Sequence, residues 1–399
     1  AAASIWGARA ANGVIVITTK KGSKNSPMSV ELNSNISISG KPDLYADRNY
    51  LPSADYIQVE KILFDAGYFN ADLADNISQP PLSPVIELLD QQKKGVISDA
   101  QTDAQLFELG RQDLRSQYLR HVYRRAVNQQ YAASIKGGNQ QASYALSAGY
   151  DHNLSDQIGN DYSRLTLNSK TTYSLAKGLD LTTALNYSNN LTTTNNYQNN
   201  FGYLPVGGKY GNLYPYARLA AEDGSPLAIA RDYRIGYTES AETRGLLDWQ
   251  YRPLQETATA DNSTRINSLL LRGGLQYRIS PSLNAEVLYQ NESQRIHSFD
   301  NRSQDSYYAR DLINRFTLQN SDGSLTFQVP KGGILMQNNT FWQSHNLRAQ
   351  LNLDRRFGSS HQLTALAGAE ARRLQTQGQM RTSYGYNDDL GVSVNNLDF

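Results

Sequence analysis

Apolar and polar residues alternate with a period of two over most of this chain, and that alternation restricts its fold more than any motif does. In 28–40, Val30, Leu32, Ile36 and Ile38 are apolar, and Glu31, Asn33, Asn35, Ser37 and Ser39 between them are polar. In 164–175, Leu165, Leu167, Tyr173 and Leu175 alternate with Arg164, Thr166, Asn168, Lys170 and Thr172. The stretches 141–151, 179–188, 268–279, 283–292, 345–357 and 361–373 behave likewise, and nine strands are expected in all. A period of two puts each class on its own face of a strand, whereas a helix needs about 3.6.

The connections carry further information. Short ones are expected at 137–139, 176–178, 280–282 and 358–360, and long ones at 41–128, 152–162, 190–263 and 293–340, in strict alternation. Outer-membrane barrels have short turns at the periplasmic rim and long loops outside. A soluble sandwich has no reason to sort its loops this way. The expected strands also exceed the soluble norm of about five or six residues. The fold class expected is therefore all-β: a wall of a transmembrane antiparallel β-barrel, Leu, Ala, Tyr and Val toward lipid, Asn, Gln, Thr, Arg and Asp toward the lumen. Tyr173, Tyr187, Tyr277 and Tyr289, near strand ends, suit an interfacial aromatic girdle.

Composition excludes several alternatives. Charged residues are 19%, hydrophobic residues 39%, net charge +1, and there is no cysteine. A disulfide framework and a cysteine metal cluster are excluded, and no basic footprint for nucleic acid is present. No apolar run is long enough for a transmembrane helix. There is no nucleophile elbow, no phosphate-binding loop and no zinc-protease motif. The histidines (His121, His152, His297, His345, His361) are scattered without metal-ligand spacing. Asp388 and Asp389 are adjacent, so in a strand they point apart. Asp151-His152 is a weak candidate hydrolase dyad. No enzyme and no cofactor are expected.

The opening residues are the most specific. Ser4-Ile5-Trp6-Gly7-Ala8-Arg9-Ala10-Ala11-Asn12-Gly13 leads through a turn into Val14-Ile15-Val16-Ile17-Thr18-Thr19, closed by Lys20-Lys21-Gly22. The β-branched run predicts a strand. The whole stretch resembles a signature of the SusC/RagA family of TonB-dependent outer-membrane transporters, carried here by Gly7, Arg9, Asn12, Gly13, Val14, Ile15, Thr18, Thr19, Lys20 and Gly22. In that family it ends the plug domain just before the barrel. Tyr214-Pro215-Tyr216-Ala217-Arg218 through Asp223-Gly224-Ser225-Pro226-Leu227, and Leu246 through Leu254, resemble loop segments of the same barrels. The resemblance implies two parts: 1–25 as the C-terminal end of the plug, and 26–399 as the N-terminal part of an incomplete barrel. Family barrels have ~22 strands, so the chain reads as an internal fragment of a transporter. The implied function is nutrient import through the outer membrane of a Gram-negative bacterium, taking up oligosaccharides or peptides. The implied partners are a SusD-like surface lipoprotein, outer-membrane lipid and a TonB-type energy-transducing complex, reached through a segment outside this chain; no nucleic acid is implied. A non-transporting barrel scaffold or adhesin is the alternative. The isolated sheet, with two open edges, is expected not to transport.

Within the loops, Ser53 is expected to cap a helix through Tyr56, Val59, Ile62 and Leu63 that ends at Gly67. The stretch 103–125 is helix-compatible, with Arg111, Arg115, Arg120, Arg124 and Arg125 expected on a solvated face. Substrate capture needs an outward cup of aromatic and polar groups. Loop 190–263 is the best candidate, with Tyr203, Tyr210, Tyr214, Tyr216, Trp249 and Tyr251 as the candidate substrate-binding residues, beside Tyr197 and Phe201. The competing expectation is that these rings pack the loop onto itself.

Overall fold

The computed structural model describes residues 22–196, 201–358, 361–387 and 391–394. Gly7, Arg9, Asn12, Gly13, Val14, Ile15, Thr18, Thr19 and Lys20 lie outside the described residues, as do Tyr197, Asp388 and Asp389. Gly22 is described: a Cβ on it would meet the Tyr144 carbonyl oxygen at 2.3 Å, so this strip of chain lies flat against the sheet. Just beyond it, Lys24 donates to Asp180 at 3.1 Å, and the Asn25 N–H donates to the Asn139 carbonyl at 3.1 Å.

One antiparallel sheet of ten strands dominates the described residues, each strand beside its neighbours in sequence. Its long members are β1 (Ser26–Ser39), β2 (Ala126–Gly138), β3 (Ala142–Leu154), β4 (Asn160–Ala176), β5 (Leu179–Thr194), β6 (Ala260–Ser280) and β7 (Leu283–Arg302). A separate hairpin, β8 (Thr317–Gln319) with β9 (Leu325–Phe327), interrupts the order before β10 (Gly333–Phe357), β11 (His361–Asn387) and the short β12 (Val392–Val394). The nine long strands are the nine expected. They run further than the alternation indicates, to 25 residues in β10 and 27 in β11.

The register converts the alternation into two faces. Ala142, Tyr173, Leu181, Leu275, Val287, Ala349 and Ala369 are paired in succession across β3 to β11 and so share one face. Leu167, Leu275, Leu347 and Leu351 on this face are exposed. A wall of exposed aliphatic side chains needs an apolar surround. On the other face Lys136, Ala145, Lys170, Ala184, Arg272, Gln290, Asn346 and Arg372 form the corresponding row. There Arg164 pairs with Asp151 at 2.8 Å, and Asn186 donates to Asn168 at 2.7 Å.

Short connections follow from local chemistry. At 139–141 the Asn139 side chain accepts from the backbone N–H groups of Gln141 and Ala142, at 2.9 and 2.7 Å, closing the turn two residues later than expected. Gly178 takes φ +79° in the β4–β5 turn. The expected long loop at 152–162 is a correction. It shrinks to 155–159 because β3 and β4 keep pairing up to Leu154 and Asp161. The genuinely long connections are 40–125, 195–259 and 303–332.

These loops hold the helices: α1 (Ser53–Asp65), α2 (Asn70–Ala74), α3 (Pro84–Lys93), α4 (Asp99–Gly110), α5 (Leu114–His121), α6 (Ile235–Glu239), α7 (Pro253–Thr259) and α8 (Tyr307–Arg315). Ser53 does not cap α1. It is the first helical residue, and its hydroxyl donates to the Gln112 carbonyl at 2.6 Å. The helix ends at Asp65, and Gly67, the expected terminator, follows the C-cap residue Ala66 with φ +79°. Its buried stripe is Ser53, Ile57 and Glu60, while Val59 and Ile62 are exposed. The stretch 103–125 is two helices, broken at Asp113, whose carboxylate accepts from the Arg115 N–H to cap α5.

Loop 303–332 re-enters the sheet through a crossing of two glycines. Gly385 (φ +62°) is the extra residue where the β10–β11 register shifts, and a Cβ on Gly332 (φ +138°) would meet its backbone at 2.6–2.9 Å. Gly332→Ala is therefore expected to destabilise the folded chain by about 2 kcal/mol or more. Gly224→Ala, at φ +87° in open space, is expected to lose only the backbone preference, about 1 kcal/mol. Denaturant unfolding of the two variants reads the difference; equal losses would contradict the crossing.

Candidate functional site

The long connections fold into one cap at their end of the sheet. Loops 40–125 and 195–259 share a core in which Ile57, Phe69, Leu82, Ile86 and Tyr118 pack with Val206, Tyr210, Tyr214, Tyr216 and Leu219. Glu60 sits inside it, 2% exposed. Its carboxylate accepts from the hydroxyls of Ser83 (2.6 Å), Tyr216 (2.6 Å) and Tyr210 (3.2 Å). No Lys or Arg pairs with it among the described residues. Burial pushes the Glu60 carboxyl above its ordinary 4.5, and the three hydroxyls pull the other way. Burial also raises the Tyr210 and Tyr216 phenols, with the Glu60 charge adding to it, so both stay protonated donors.

A second core joins loops 195–259 and 303–332 through Leu204, Ile229, Trp249, Tyr251 and Tyr307. Asp248 ties it together, accepting from Arg252 and from the buried Arg310, each at 2.6 Å. Burial works against that charge. The Gln250 N–H and the two guanidiniums more than offset it and hold the carboxyl below its usual range. The Trp249 indole N–H donates to Asp311 at 2.9 Å. The Arg231 guanidinium lies 4.4 Å from the Tyr251 ring centroid. A polar cavity of about 140 Å³ opens beside this core, lined by Asp232, Glu256, Asn301, Arg302 and Tyr307.

These cores account for most of the aromatic candidates. Tyr210 and Tyr216 are held by Glu60, and Tyr214 stacks on Tyr216 with ring centroids 4.6 Å apart. Trp249 is held by Asp311, and Tyr251 meets Tyr307 edge-on at 5.2 Å. All five are buried, so in this arrangement they shape the cap from within and offer no open ring face. Tyr203 differs: it is 77% exposed. In the basic stretch Arg111, Arg120 and Arg125 are exposed as expected, and Arg115 and Arg124 are partly buried instead. Arg115 pairs with Asp113 at 2.8 Å and lies 4.2 Å from the centroids of both Tyr45 and Tyr50. Arg124 donates to the carbonyls of Ser155 and Asn160. Asp151 pairs with Arg164 rather than with His152, which leaves no dyad.

Among the hollows of the described residues, two larger ones lie off the aliphatic face of the sheet. One is a hollow of about 710 Å³ on the polar face of the sheet, lined by Glu31, Lys136, Lys170, Asp180, Arg272 and Glu286 among others. The other is an apolar groove of about 580 Å³ in the cap, between α3, α4 and residues 228–235. The residues that sequence reasoning missed are Glu60, Arg218 and Arg310. Glu60 left a signal as an acid three residues after Ile57, and Arg218 as the last residue of the segment that opens at Tyr214.

Because burial raises the Glu60 carboxyl, the native cap holds a proton that the unfolded chain releases sooner. Its contribution is fully present below about pH 4.5 and is lost as pH rises through the raised value. Glu60→Gln is expected to flatten this slope. Glu60→Leu strands three hydroxyls and is expected to cost about 2–4 kcal/mol. Tyrosine near-UV circular dichroism during melting at several pH values checks both; a slope unchanged in Glu60→Gln would contradict the assignment.

No protein-family model matches the chain. The TonB-dependent receptor SusC of Bacteroides thetaiotaomicron is 36% identical over 85 residues, 21% of this chain and 8% of SusC. The structure of the RagAB peptide transporter matches with TM-score 0.68 at 18% identity, covering 99% of this chain and 41% of that one. The RagAB peptide importer in its open-open state matches with TM-score 0.66, also at 18% identity, covering 99% and 40%. The chain thus spans about two fifths of the length of the structures it matches. Among the described residues no helix is long and apolar enough to cross a membrane, which says nothing of strands. Over one stretch of sequence the chain is similar to SusC, and over nearly its whole length its fold, an open antiparallel sheet with a folded cap, is similar to part of the RagAB structures.

Proposed function

We propose that the protein carrying this chain is a nutrient importer of the outer membrane. On this reading residues up to 25 end a plug, and residues from 26 form barrel wall. The wall faces lipid with its aliphatic rows and a plugged lumen with its charged rows. A TonB-type complex supplies the energy, and a SusD-like lipoprotein closes over the cap. Oligosaccharides or peptides are the cargo, and no covalent chemistry is required of the chain.

The observation that carries this reading is the pairing of two features on one sheet. Exposed Leu and Val rows back onto a row containing Lys136, Lys170, Arg272 and Arg372, and all three truly long loops meet at one end. A wall of this kind suits a wet or plugged lumen within lipid, and the cap suits capture from outside. The similarity to SusC and to the RagAB importer supports the same class of activity.

Uptake by whole cells tests it. Labelled oligosaccharide and peptide pools are offered to cells with and without the full-length receptor gene, before and after the proton-motive force is dissipated. Uptake of one pool is expected to fall to background in both the deletion strain and the de-energised cells. Uptake unchanged by deletion, or by loss of the force, would overturn the reading.

A further inference from the structure

The apolar groove in the cap holds a cation without a counter-charge. Its walls include Leu82, Leu88, Leu109, Tyr214, Ile229 and Ile235. Arg218 lines the same groove and is half-buried. Its backbone is anchored on both sides: Ala217 and Leu219 are buried, the Ala217 N–H donates to the Tyr214 carbonyl, and the Leu219 N–H donates to the Gln117 side chain at 3.3 Å. Two carboxylates border the groove, and neither pairs with Arg218 among the described residues. Glu87 is held by Arg234 at 2.5 Å, and Glu108 faces Arg111 at 3.7 Å. Among the described residues Arg218 has no hydrogen-bond or ion-pair partner, which distinguishes it from Arg115, Arg234, Arg252 and Arg310 in the same cap.

A guanidinium fork in an apolar trough fits one kind of ligand well: an apolar body that ends in a carboxylate. The planar donors match the two carboxylate oxygens, and the low-polarity walls strengthen that pairing. A volume of about 580 Å³ suits a few residues of peptide. A neutral sugar brings hydroxyls and no charge, and these mostly aliphatic walls give it little to stack on or bond to. We propose that this groove takes the C-terminal end of a short peptide, its last apolar side chain against Leu88, Leu109 and Ile235 and its α-carboxylate on Arg218. The proposal rests on the importer reading and narrows its cargo to peptides.

Binding to the purified full-length receptor tests it, with fluorescein-labelled Ala-Ala-Ala-Leu and the same peptide with a C-terminal amide as probes. The acid is expected to bind about tenfold or more tightly than the amide, as for loss of one charge-assisted bidentate contact. Arg218→Gln is expected to weaken the acid by a similar factor and to leave the amide unchanged, and Arg218→Lys to recover part of the loss. Ala104 is exposed at the groove. Ala104→Glu, which offers Arg218 a competing carboxylate without touching the core, is expected to reproduce the Arg218→Gln effect. Equal binding of acid and amide, or acid binding indifferent to Arg218→Gln, would overturn the proposal. So would a surface lipoprotein that occludes the groove and excludes the peptide. The two readings separate cleanly. Cells that import oligosaccharide through a receptor whose peptide binding ignores Arg218 would keep the importer and discard the groove. Arg218-dependent peptide binding by a receptor that supports no uptake would do the reverse.

Discussion

A strand surrounded by hydrocarbon has no water to satisfy its backbone, so every N–H and C=O must find a partner in the next strand. On the outer-membrane reading proposed above, that requirement organises the wall. It makes the pairing continuous from β1 to β12 without a gap and keeps neighbours in sequence as neighbours in space. It lengthens the strands beyond those of soluble sheets. Among the described residues it also leaves β1 as one edge of the sheet and β11, paired with the short β12 only near its end, as the other. Closing the wall into a barrel is the physical remedy for such edges, and the likeness to the RagAB structures over nearly the full chain is a likeness to a portion of a larger assembly of that kind.

With the wall fixed by backbone pairing, the side chains on each face are free to differ. One face carries aliphatic rows, and the other carries Lys, Arg, Asn and Asp joined across strands. The cap obeys a different rule. Its core is built on charges taken out of water and satisfied there: Glu60 by three hydroxyls, and Asp248 by two guanidiniums. Buried ionic groups of this sort specify one arrangement more than they add stability. Glu60 draws on helices of one loop and tyrosines of another, and Asp248 and Asp311 draw on the next pair. The three long loops are thereby tied into one body.

The wall was legible in the sequence, and the cap largely was not. Period two survives in the sequence because each strand faces two media at once, and Asn139 and Gly178 mark turns by local chemistry alone. Strand ends were less visible. Toward the cap the alternation fades, and β10 and β11 run on by pairing only. The shortened loop at 155–159 was hidden for the same reason. In the cap, the aromatic residues allowed either an open cup or a loop packed onto itself, and five of them are buried. Nothing local distinguishes Tyr214, packed under a helix, from Tyr203, which is exposed. That difference depends on where Glu60 lies, 150 residues or more away in sequence.

The two-faced wall is the central claim, and its most direct measurement uses the absence of native cysteine. Single cysteines are placed at Leu167, Leu275 and Leu351 on one face and at Asn168, Gln276 and Gln350 on the other, in the full-length protein in lipid, and each is labelled with a fluorophore. Quenchers attached to lipid tails are predicted to dim the first set, and a water-soluble quencher is predicted to leave that set bright. Quenching by lipid that is equal for the two sets, or stronger for the second, would contradict the account.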